Sequence, residues 1–339
     1  MALSINPLPA LRHHLNSLIS LAIRGTSIAA GFGVTLLIGR MFGPAANGHY
    51  ALITQTGMFL SVVVVGGVDL AITREFSAAV ASRLPIRTGS FLRVVGYTML
   101  IAVTLGALLE LGGRPLLGRL FNGEVPANSL TILMLIMLSR ALTRTLGAVL
   151  RSQQDYSWGQ SVEVLLIPVI VVVLLSLGSA SDVEQVLWMT AIVGLAVGVA
   201  AFFTCFRHVA RSAAAFDVPM SRILKVALPL WGVAIFLNIT DWYGLATVSH
   251  VLGVYSAGLY RVAAQVASVL SIITMGLFSI YSPQFAEAYA SRDIPRLARL
   301  AKSASRGGSF GQSRTGAARF GNLYGASNPR LIPVFFPQV

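Results

Sequence analysis

Residues 15–70 constrain the fold more than any other stretch of this sequence. Two apolar runs, 15–39 and 50–70, flank a short segment that is rich in glycine and contains Pro44. At a rise of about 1.5 Å per residue, each run is long enough to cross a hydrocarbon core of roughly 30 Å as a helix. The glycines and the proline favour a chain reversal, and the Asn47-Gly48 pair tolerates positive φ. The stretch therefore predicts a transmembrane helical hairpin with a tight turn.

The same hairpin pattern returns later in the chain, where residues 252–260 align with residues 42–50. The matching residues are Gly43 with Gly253, Gly48 with Gly258, Tyr50 with Tyr260 and, farther on, Gln55 with Gln265. Duplicated helical bundles are a common design of membrane transporters. An even number of predicted helices separates the two copies, so both copies have the same orientation. The sequence therefore predicts a parallel internal repeat.

The composition places the chain in the membrane class. Hydrophobic residues make up 55% and charged residues only 11%, with a mean hydropathy of +0.76, whereas soluble domains carry about 25% charged residues. The net charge of +13 does not indicate nucleic-acid binding, because the basic residues lie at helix ends and in loops. A single cysteine, Cys205, excludes an intramolecular disulfide and a zinc site built on several cysteines. We therefore expect an all-α, polytopic membrane bundle.

The apolar pattern predicts eight membrane-spanning helices, joined by loops too short to hold a soluble catalytic domain. They are expected at 15–39, 50–70, 91–112, 129–150, 161–178, 186–206, 226–248 and 259–281. Lys and Arg are concentrated in alternate loops, those after the second, fourth, sixth and eighth spans. By the positive-inside rule these loops are cytoplasmic. The sequence therefore predicts a multi-pass membrane protein with a cytoplasmic N-terminus.

The expected domain order follows from the spans and the repeat. Residues 1–14 form a cytoplasmic lead, residues 15–210 a first lobe of six helices, and residues 211–306 a partial second lobe of two helices and a basic segment. From Gly307 the helical period is lost and the composition resembles that of disordered tails. We therefore expect a disordered segment over 307–339 and a truncated second lobe.

Four of the charged residues inside the predicted spans are the candidate substrate-binding residues, since buried charge in a bilayer is costly and normally faces a bundle interior. They are Arg24 in the first span, Arg140 and Arg144 in the fourth, and Asp241 in the seventh. Arg140, Arg144 and Arg151 form a predicted basic ladder toward the cytoplasm. Alternatively, Arg24 lies at the cytoplasmic surface. Asp241 is an ion or proton site, the partner of an arginine, or a polar helix contact.

Other polar features of the sequence carry less specific predictions. Pro168 and Pro229 lie inside apolar runs, where proline is tolerated if the backbone lines a cavity. Asp69, Arg74 and Glu75 are interpreted as an interfacial charge cluster. The histidines have no metal-ligand spacing, and no nucleophile elbow, phosphate loop or paired-carboxylate motif is present. The sequence therefore predicts neither a cofactor nor an enzymatic activity.

The segment from Gly39 to Tyr50, with the pattern Gly-Arg-x-Phe-Gly-Pro-x-x-x-Gly-x-Tyr, resembles the polysaccharide transporters. These include the O-antigen and lipid-linked oligosaccharide flippases of the multidrug/oligosaccharidyl-lipid/polysaccharide exporter superfamily. Residues 228–231, 255–260 and 283–300 look like second-lobe segments of that family. The sequence departs from the family's pattern in lacking most of the second lobe and in its final segment.

This resemblance implies two six-helix lobes around a central cleft that the first helix of each lobe lines, which would place Arg24 and Asp241 at the cleft. It also implies a protein of the bacterial inner membrane that moves undecaprenyl-pyrophosphate-linked glycans outward by alternating access, in the company of polysaccharide-assembly proteins. A cation-coupled exporter of small molecules from the same superfamily is the alternative. A membrane glycan polymerase or transferase is a third interpretation. The basic interior favours a pyrophosphate ligand, and the short outer loops disfavour a polymerase.

Overall fold

The structure is a computed structural model that describes residues 8–81, 86–120, 128–209, 216–290 and 300. The chain divides into two compact units, Met1–Val269 and Leu270–Val339. The contacts described below lie within the first unit. The predicted disordered segment 307–339 lies outside the described residues, as does most of the predicted basic segment that precedes it.

Helices account for nearly all of the described residues, which confirms the prediction of an all-α membrane bundle. In chain order the elements are α1 (Leu8–Val65), α2 (Val68–Ala81), α3 (Thr88–Gly112), α4 (Arg114–Leu120), α5 (Ser129–Ser152), α6 (Tyr156–Gln160), a π-helix (Ser161–Leu165), α7 (Leu166–Ser176), α8 (Val183–His208) and α9 (Met220–Ala290). Apart from an isolated bridge between Ile86 and Phe216, the described ranges contain no β-pairing.

The two longest helices, α1 and α9, are each broken at one glycine. Gly43 has φ 88° and ψ 173°, and Gly253 has φ 82° and ψ 169°, a region that only glycine occupies readily. On a straight helix Ser27 and Met58 would lie about 46 Å apart, yet both border one cavity of about 370 Å³. The chain therefore reverses at Gly43, and α1 is a hairpin of two membrane-length segments.

The Asn47-Gly48 pair, which tolerates positive φ, does not adopt it in the structure. Within the described part of α1, the only residue with positive φ is Gly43, and Gly48 is helical and buried. One glycine in the extended, positive-φ conformation is enough to reverse the chain, so the helix resumes before Asn47. Gly48 is needed for a different reason, which is its close contact with the second copy of the hairpin.

Six described helical segments are long and apolar enough to cross a membrane. Four of them, on α3, α5, α6–α7 and α8, are single spans. The other two, Ile19–Val65 and Met220–Ser268, contain the breaks at Gly43 and Gly253. Each of these two therefore provides a pair of spans, which agrees with the eight predicted from the sequence.

Helix α5 forms the centre of the first six spans and packs against α1, α2, α3, α6 and α8. Its buried residues include small and apolar ones such as Ile136, Ala141 and Leu146. Small residues let neighbouring helices approach: a Cβ at Gly194 or Gly198 of α8 would collide with side chains of α5. Because α5 is surrounded by other helices, a polar side chain on it can face a central cavity instead of lipid.

The segment just before α9 is tied to the start of α3 by polar contacts. The amide of Arg87 donates to the carbonyl of Phe216 over 3.0 Å, and the hydroxyl of Ser90 donates to Asp217 Oδ1 over 2.5 Å. Arg93 and Arg87 form ion pairs with the same carboxylate. The Ser90 hydrogen bond, followed by the two arginine charges, lowers the pKa of Asp217 from its ordinary value. These contacts anchor the start of the second hairpin to the first six spans.

Candidate functional site

A cavity of about 370 Å³ lies between the two hairpins, α5 and the α6–α7 span. Its volume is in the range of small-molecule binding pockets. Its polar lining consists of Ser27, Thr35, Tyr50, Thr54, Arg140, Glu163, Asp241, Tyr260, Arg261, Gln265 and Ser268.

The two hairpins contribute to the cavity in a symmetric way. Several lining residues form pairs with the same sequence offset as Gly43 and Gly253. The pairs are Gly31 with Asp241, Thr35 with Leu245, Tyr50 with Tyr260, Thr54 with Ala264, and Met58 with Ser268. Equivalent faces of the two copies thus meet at the cavity, as expected of a site on the approximate axis that relates two repeats.

Two arginines from different repeats face this cavity. Arg140 comes from α5 and Arg261 from the second segment of α9. Both line the cavity together with Tyr50. Among the described residues, no carboxylate oxygen lies within 4.0 Å of either guanidinium. Both side chains therefore retain hydrogen-bond donors for an anionic ligand.

Two carboxylates also line the cavity, but their environments differ. Glu163, which belongs to the π-helix, forms an ion pair with Arg151 of α5. Asp241 is exposed within the cavity and acts on Arg261 through its charge. The positions of the first hairpin that correspond to Asp241 and Arg261 hold a glycine and an alanine. The charged pair is therefore a feature of the second copy alone.

The π-helix and Pro168 shape the wall of the cavity on the fifth span. Because proline has no N–H, Pro168 cannot donate the usual i+4 hydrogen bond to the carbonyl of Val164. Instead the hydroxyl of Ser27 donates to that carbonyl over 2.6 Å. Pro168 itself lines the cavity, as the sequence predicted for a proline inside an apolar run. The hydrogen bond joins the first and fifth spans at the site.

Ser27→Ala is expected to lower the free energy of unfolding by about 1 kcal/mol, because it leaves the Val164 carbonyl without this donor. In a Pro168→Ala background the restored backbone N–H can satisfy the carbonyl, so the same change should cost less. Unfolding of the purified parent, the two single variants and the double variant in detergent measures this coupling. Equal costs of Ser27→Ala in both backgrounds would contradict the assigned role of Ser27.

The structure brings two of the four predicted binding residues, Arg140 and Asp241, to the cavity. Arg144 does not line it and instead forms an ion pair with Asp69, at 2.6 Å between Nε and Oδ2. Arg24 also lies outside the lining, with its side chain exposed on α1. Of the predicted basic ladder only Arg140 has no carboxylate partner within 4.0 Å among the described residues.

Asp69, Arg74 and Glu75, interpreted as an interfacial charge cluster, form no ion pair with one another in the described part of the chain. Asp69 is 3% exposed and Glu75 is 5% exposed. Glu75 forms an ion pair with Arg222 at the start of α9, at 2.6 Å between the nearest atoms. The two carboxylates are close in sequence, which suggested one cluster. In the structure, however, Asp69 and Glu75 each form an ion pair with a different arginine that is distant in sequence.

Sequence reasoning missed Arg261 and Glu163 as cavity residues. Arg261 lies inside an apolar run directly after Tyr260, so the criterion that identified Asp241 would also have identified it. Glu163 is near the start of the predicted fifth span, where a carboxylate is easily taken for an interfacial residue.

Gln265 is a third cavity residue that was not predicted. It accepts a hydrogen bond from Thr35 over 2.6 Å, and this bond joins the two hairpins. Its signals in the sequence were a polar side chain inside the predicted eighth span and the match with Gln55 in the repeat.

Aromatic contacts also join the hairpins beside the cavity. The ring of Trp242 stacks on Phe59, with ring centroids 5.0 Å apart and an interplanar angle of 15°. Its indole N–H donates to Thr56 Oγ1 over 3.1 Å. Trp242 directly follows Asp241, so this contact fixes the part of α9 that carries the carboxylate.

The fold and the cavity define the class of protein before any comparison, namely a multi-pass helical membrane protein with a central polar site. The family described as polysaccharide biosynthesis protein matches residues 15–288, which is most of the chain. The chain therefore belongs to the polysaccharide biosynthesis protein family. This confirms the resemblance to polysaccharide transporters that the hairpin motif indicated.

Two solved structures share the fold. The first is an inward-facing multidrug resistance MATE family transporter of the MOP superfamily, with a TM-score of 0.61 and 13% identity, over 85% of this chain and 69% of that chain. The second is a ligand complex of the MATE multidrug transporter DinF-BH, with a TM-score of 0.55 and 13% identity, over 90% of this chain and 71% of that chain. No curated protein matches the sequence.

Proposed function

We propose that the protein moves a lipid-linked glycan precursor of the undecaprenyl-pyrophosphate type across the bacterial inner membrane by alternating access. The observation that carries this proposal is the approach of Arg140 and Arg261, from different repeats, to one cavity. Guanidinium groups bind phosphate oxygens with paired, charge-assisted hydrogen bonds. The family match to polysaccharide biosynthesis proteins supports a glycan as the other part of the ligand.

The arrangement suits a ligand with an anionic headgroup and an apolar tail. In the proposed complex the pyrophosphate lies between the two arginines. Thr54, Gln265 and Tyr260, which also line the cavity, offer hydrogen bonds to the sugar. The polyprenyl chain remains in the surrounding lipid. Transport of this kind breaks no covalent bond, so the proposal assigns no catalytic residue and no cofactor.

The direction of transport in this proposal is outward. It places the N-terminus and the arginine-rich loops in the cytoplasm, according to the distribution of Lys and Arg. It also retains the lobes 15–210 and 211–306, with the cavity between their hairpins. Proteins that build and export the glycan would be the partners on either side of the membrane.

A cation-coupled multidrug-type exporter is the second candidate. It is favoured by two observations: both solved structures described above are multidrug transporters, and Asp241 presents a carboxylate in the cavity. A carboxylate attracts a cationic drug or a coupling ion, whereas the two arginines repel one. The two functions therefore make opposite predictions about the charge of the preferred ligand.

Binding to the purified protein in lipid nanodiscs tests the proposal. Undecaprenyl pyrophosphate should bind at least about tenfold more tightly than uncharged undecaprenol, since charge-assisted hydrogen bonds to the diphosphate are lost in the alcohol. It should also outcompete tetraphenylphosphonium, a lipophilic cation that represents the cationic drugs. If that cation binds more tightly and the pyrophosphate lipid does not displace it, the multidrug-type function replaces this proposal.

A further inference from the structure

The two hairpins touch each other in a reciprocal way just beyond their turns. A Cβ on Gly48 would overlap the backbone carbonyl of Val254, and a Cβ on Gly258 would overlap the carbonyl of Pro44, in both cases well inside the 3.0 Å that real Cβ atoms keep. Pro44 corresponds to Val254 in the repeat, and Gly48 corresponds to Gly258. Such an exchange of equivalent contacts is what a two-fold relation produces.

A hydrogen bond accompanies this contact, which we call the glycine clamp (Pro44, Asn47, Gly48, Val254 and Gly258). All of these residues except the half-buried Pro44 are buried. The side-chain amide of Asn47 donates to the carbonyl of Gly258 over 3.0 Å. Asn47 is 1% exposed and Val254 is 6% exposed. Glycines at both crossing points permit backbone contact that any other residue would prevent. The clamp is therefore a sequence-specific junction between the two copies.

The clamp lies between the turns and the cavity. Gly43 and Gly253 form the turns, and the first cavity-lining residues beyond the clamp are Tyr50 and Tyr260. One helical turn is about 5.4 Å long, so the clamp crosses the bundle roughly one turn from the cavity. Separation of the two hairpins at the clamp would therefore widen the path from the cavity toward the turns.

We propose that the glycine clamp is the gate that closes the turn side of the cavity, and that its opening exposes the cavity on that side of the membrane. Closure rests on backbone packing and one hydrogen bond, and the five clamp residues carry no charged side chain that could add an ion pair. Small changes in packing can therefore shift the balance between the closed and open states. The proposal concerns the alternating access of the proposed function, and its test does not depend on the identity of the substrate.

Labelling of an introduced cysteine tests the gate in membrane vesicles. Cys205, the chain's only cysteine, is replaced by serine, and Thr54→Cys places a thiol in the cavity. A second variant, Met41→Cys, carries an exposed thiol beside the turn and identifies the side of the membrane on which the turns lie. An impermeant thiol reagent is then added on that side only.

Gly48→Ala and Gly258→Ala should each increase the labelling rate of Thr54→Cys about tenfold, because the added Cβ destabilises the closed state. Asn47→Ala removes the hydrogen bond without adding bulk and should increase the rate about threefold. Gly39→Ala is the matched control, since a Cβ there has no atom within 4 Å, and its labelling rate should equal that of the parent.

Parent-like labelling rates in folded Gly48→Ala, Gly258→Ala and Asn47→Ala proteins would overturn the gate and make the clamp a permanent junction. If the two glycine variants fail to fold, Asn47→Ala decides the question. If the variants label faster but undecaprenyl pyrophosphate fails the binding test, the proposed substrate is rejected and the proposed gate is retained. The reverse pair of results would overturn the gate and leave the substrate.

Discussion

Arg140→Ala is expected to weaken binding of undecaprenyl pyrophosphate about 10- to 100-fold, the loss of one or two charge-assisted hydrogen bonds. Arg140 faces the cavity, and no described carboxylate lies within 4.0 Å of it. Its donors are therefore not already used in an ion pair. Arg261→Ala should have a similar effect, since Arg261 approaches the cavity from the other repeat. Titration of the purified protein in nanodiscs measures both.

Two further variants separate charge from geometry. Arg140→Lys retains the positive charge but loses the planar pair of donors, so its affinity should lie between those of the parent and Arg140→Ala. Arg114→Ala is the control, because Arg114 is exposed at the start of α4 and outside the cavity lining. Equal losses in Arg140→Ala and Arg114→Ala would show that the arginines act only through overall charge.

Arg144→Ala is expected to lower the free energy of unfolding by about 3 kcal/mol, which is typical of the removal of one partner of a buried ion pair. The remaining carboxylate of Asp69 is only 4% exposed and would lose its partner at 2.6 Å. Asp69→Ala should cost somewhat less, because the side chain of Arg144 is 22% exposed. Reversible unfolding in mixed detergent micelles measures each variant and the double variant.

A double variant and an exposed ion pair serve as controls for the unfolding free energy of Arg144→Ala. The double variant Asp69→Ala, Arg144→Ala should cost less than the sum of the single changes, since it leaves neither charge buried without its partner. The ion pair between Arg93 and Asp217 is the exposed control, with side chains 46% and 41% exposed, and Arg93→Ala should cost at most about 1 kcal/mol. An Arg144→Ala cost as small as that of Arg93→Ala would mean that the buried pair does not stabilise the fold.

The same variant addresses the predicted binding role of Arg144. If the only role of Arg144 is its ion pair with Asp69, the affinity of Arg144→Ala for the pyrophosphate lipid should remain within about threefold of the parent's. Arg140→Ala should differ in this respect. A loss of affinity equal to that of Arg140→Ala, in a protein that is still folded, would restore Arg144 to the substrate site.

The helical membrane fold, most of the span boundaries and the register of the repeat could all be predicted from the amino-acid sequence. Apolar runs longer than a bilayer is thick must form helices, because lipid offers no partners for backbone polar groups. The Gly and Tyr pattern of residues 43–50 recurs at residues 253–260, which marked equivalent turns, and Gly43 and Gly253 both have positive φ in the structure. These features depend on residues that are near each other in the chain.

Which charges serve the site became clear only from the packing of distant helices. Arg140 and Arg144 lie one turn apart on α5, yet Arg144 meets Asp69 from α2 while Arg140 faces the cavity. Arg261 reaches the same cavity from a helix more than a hundred residues away in sequence. Gly48 was expected to enable a turn, and instead it enables close contact with the second hairpin. The role of each of these residues depends on which distant helix packs against it. That choice is made by three-dimensional contacts, which local sequence patterns do not encode.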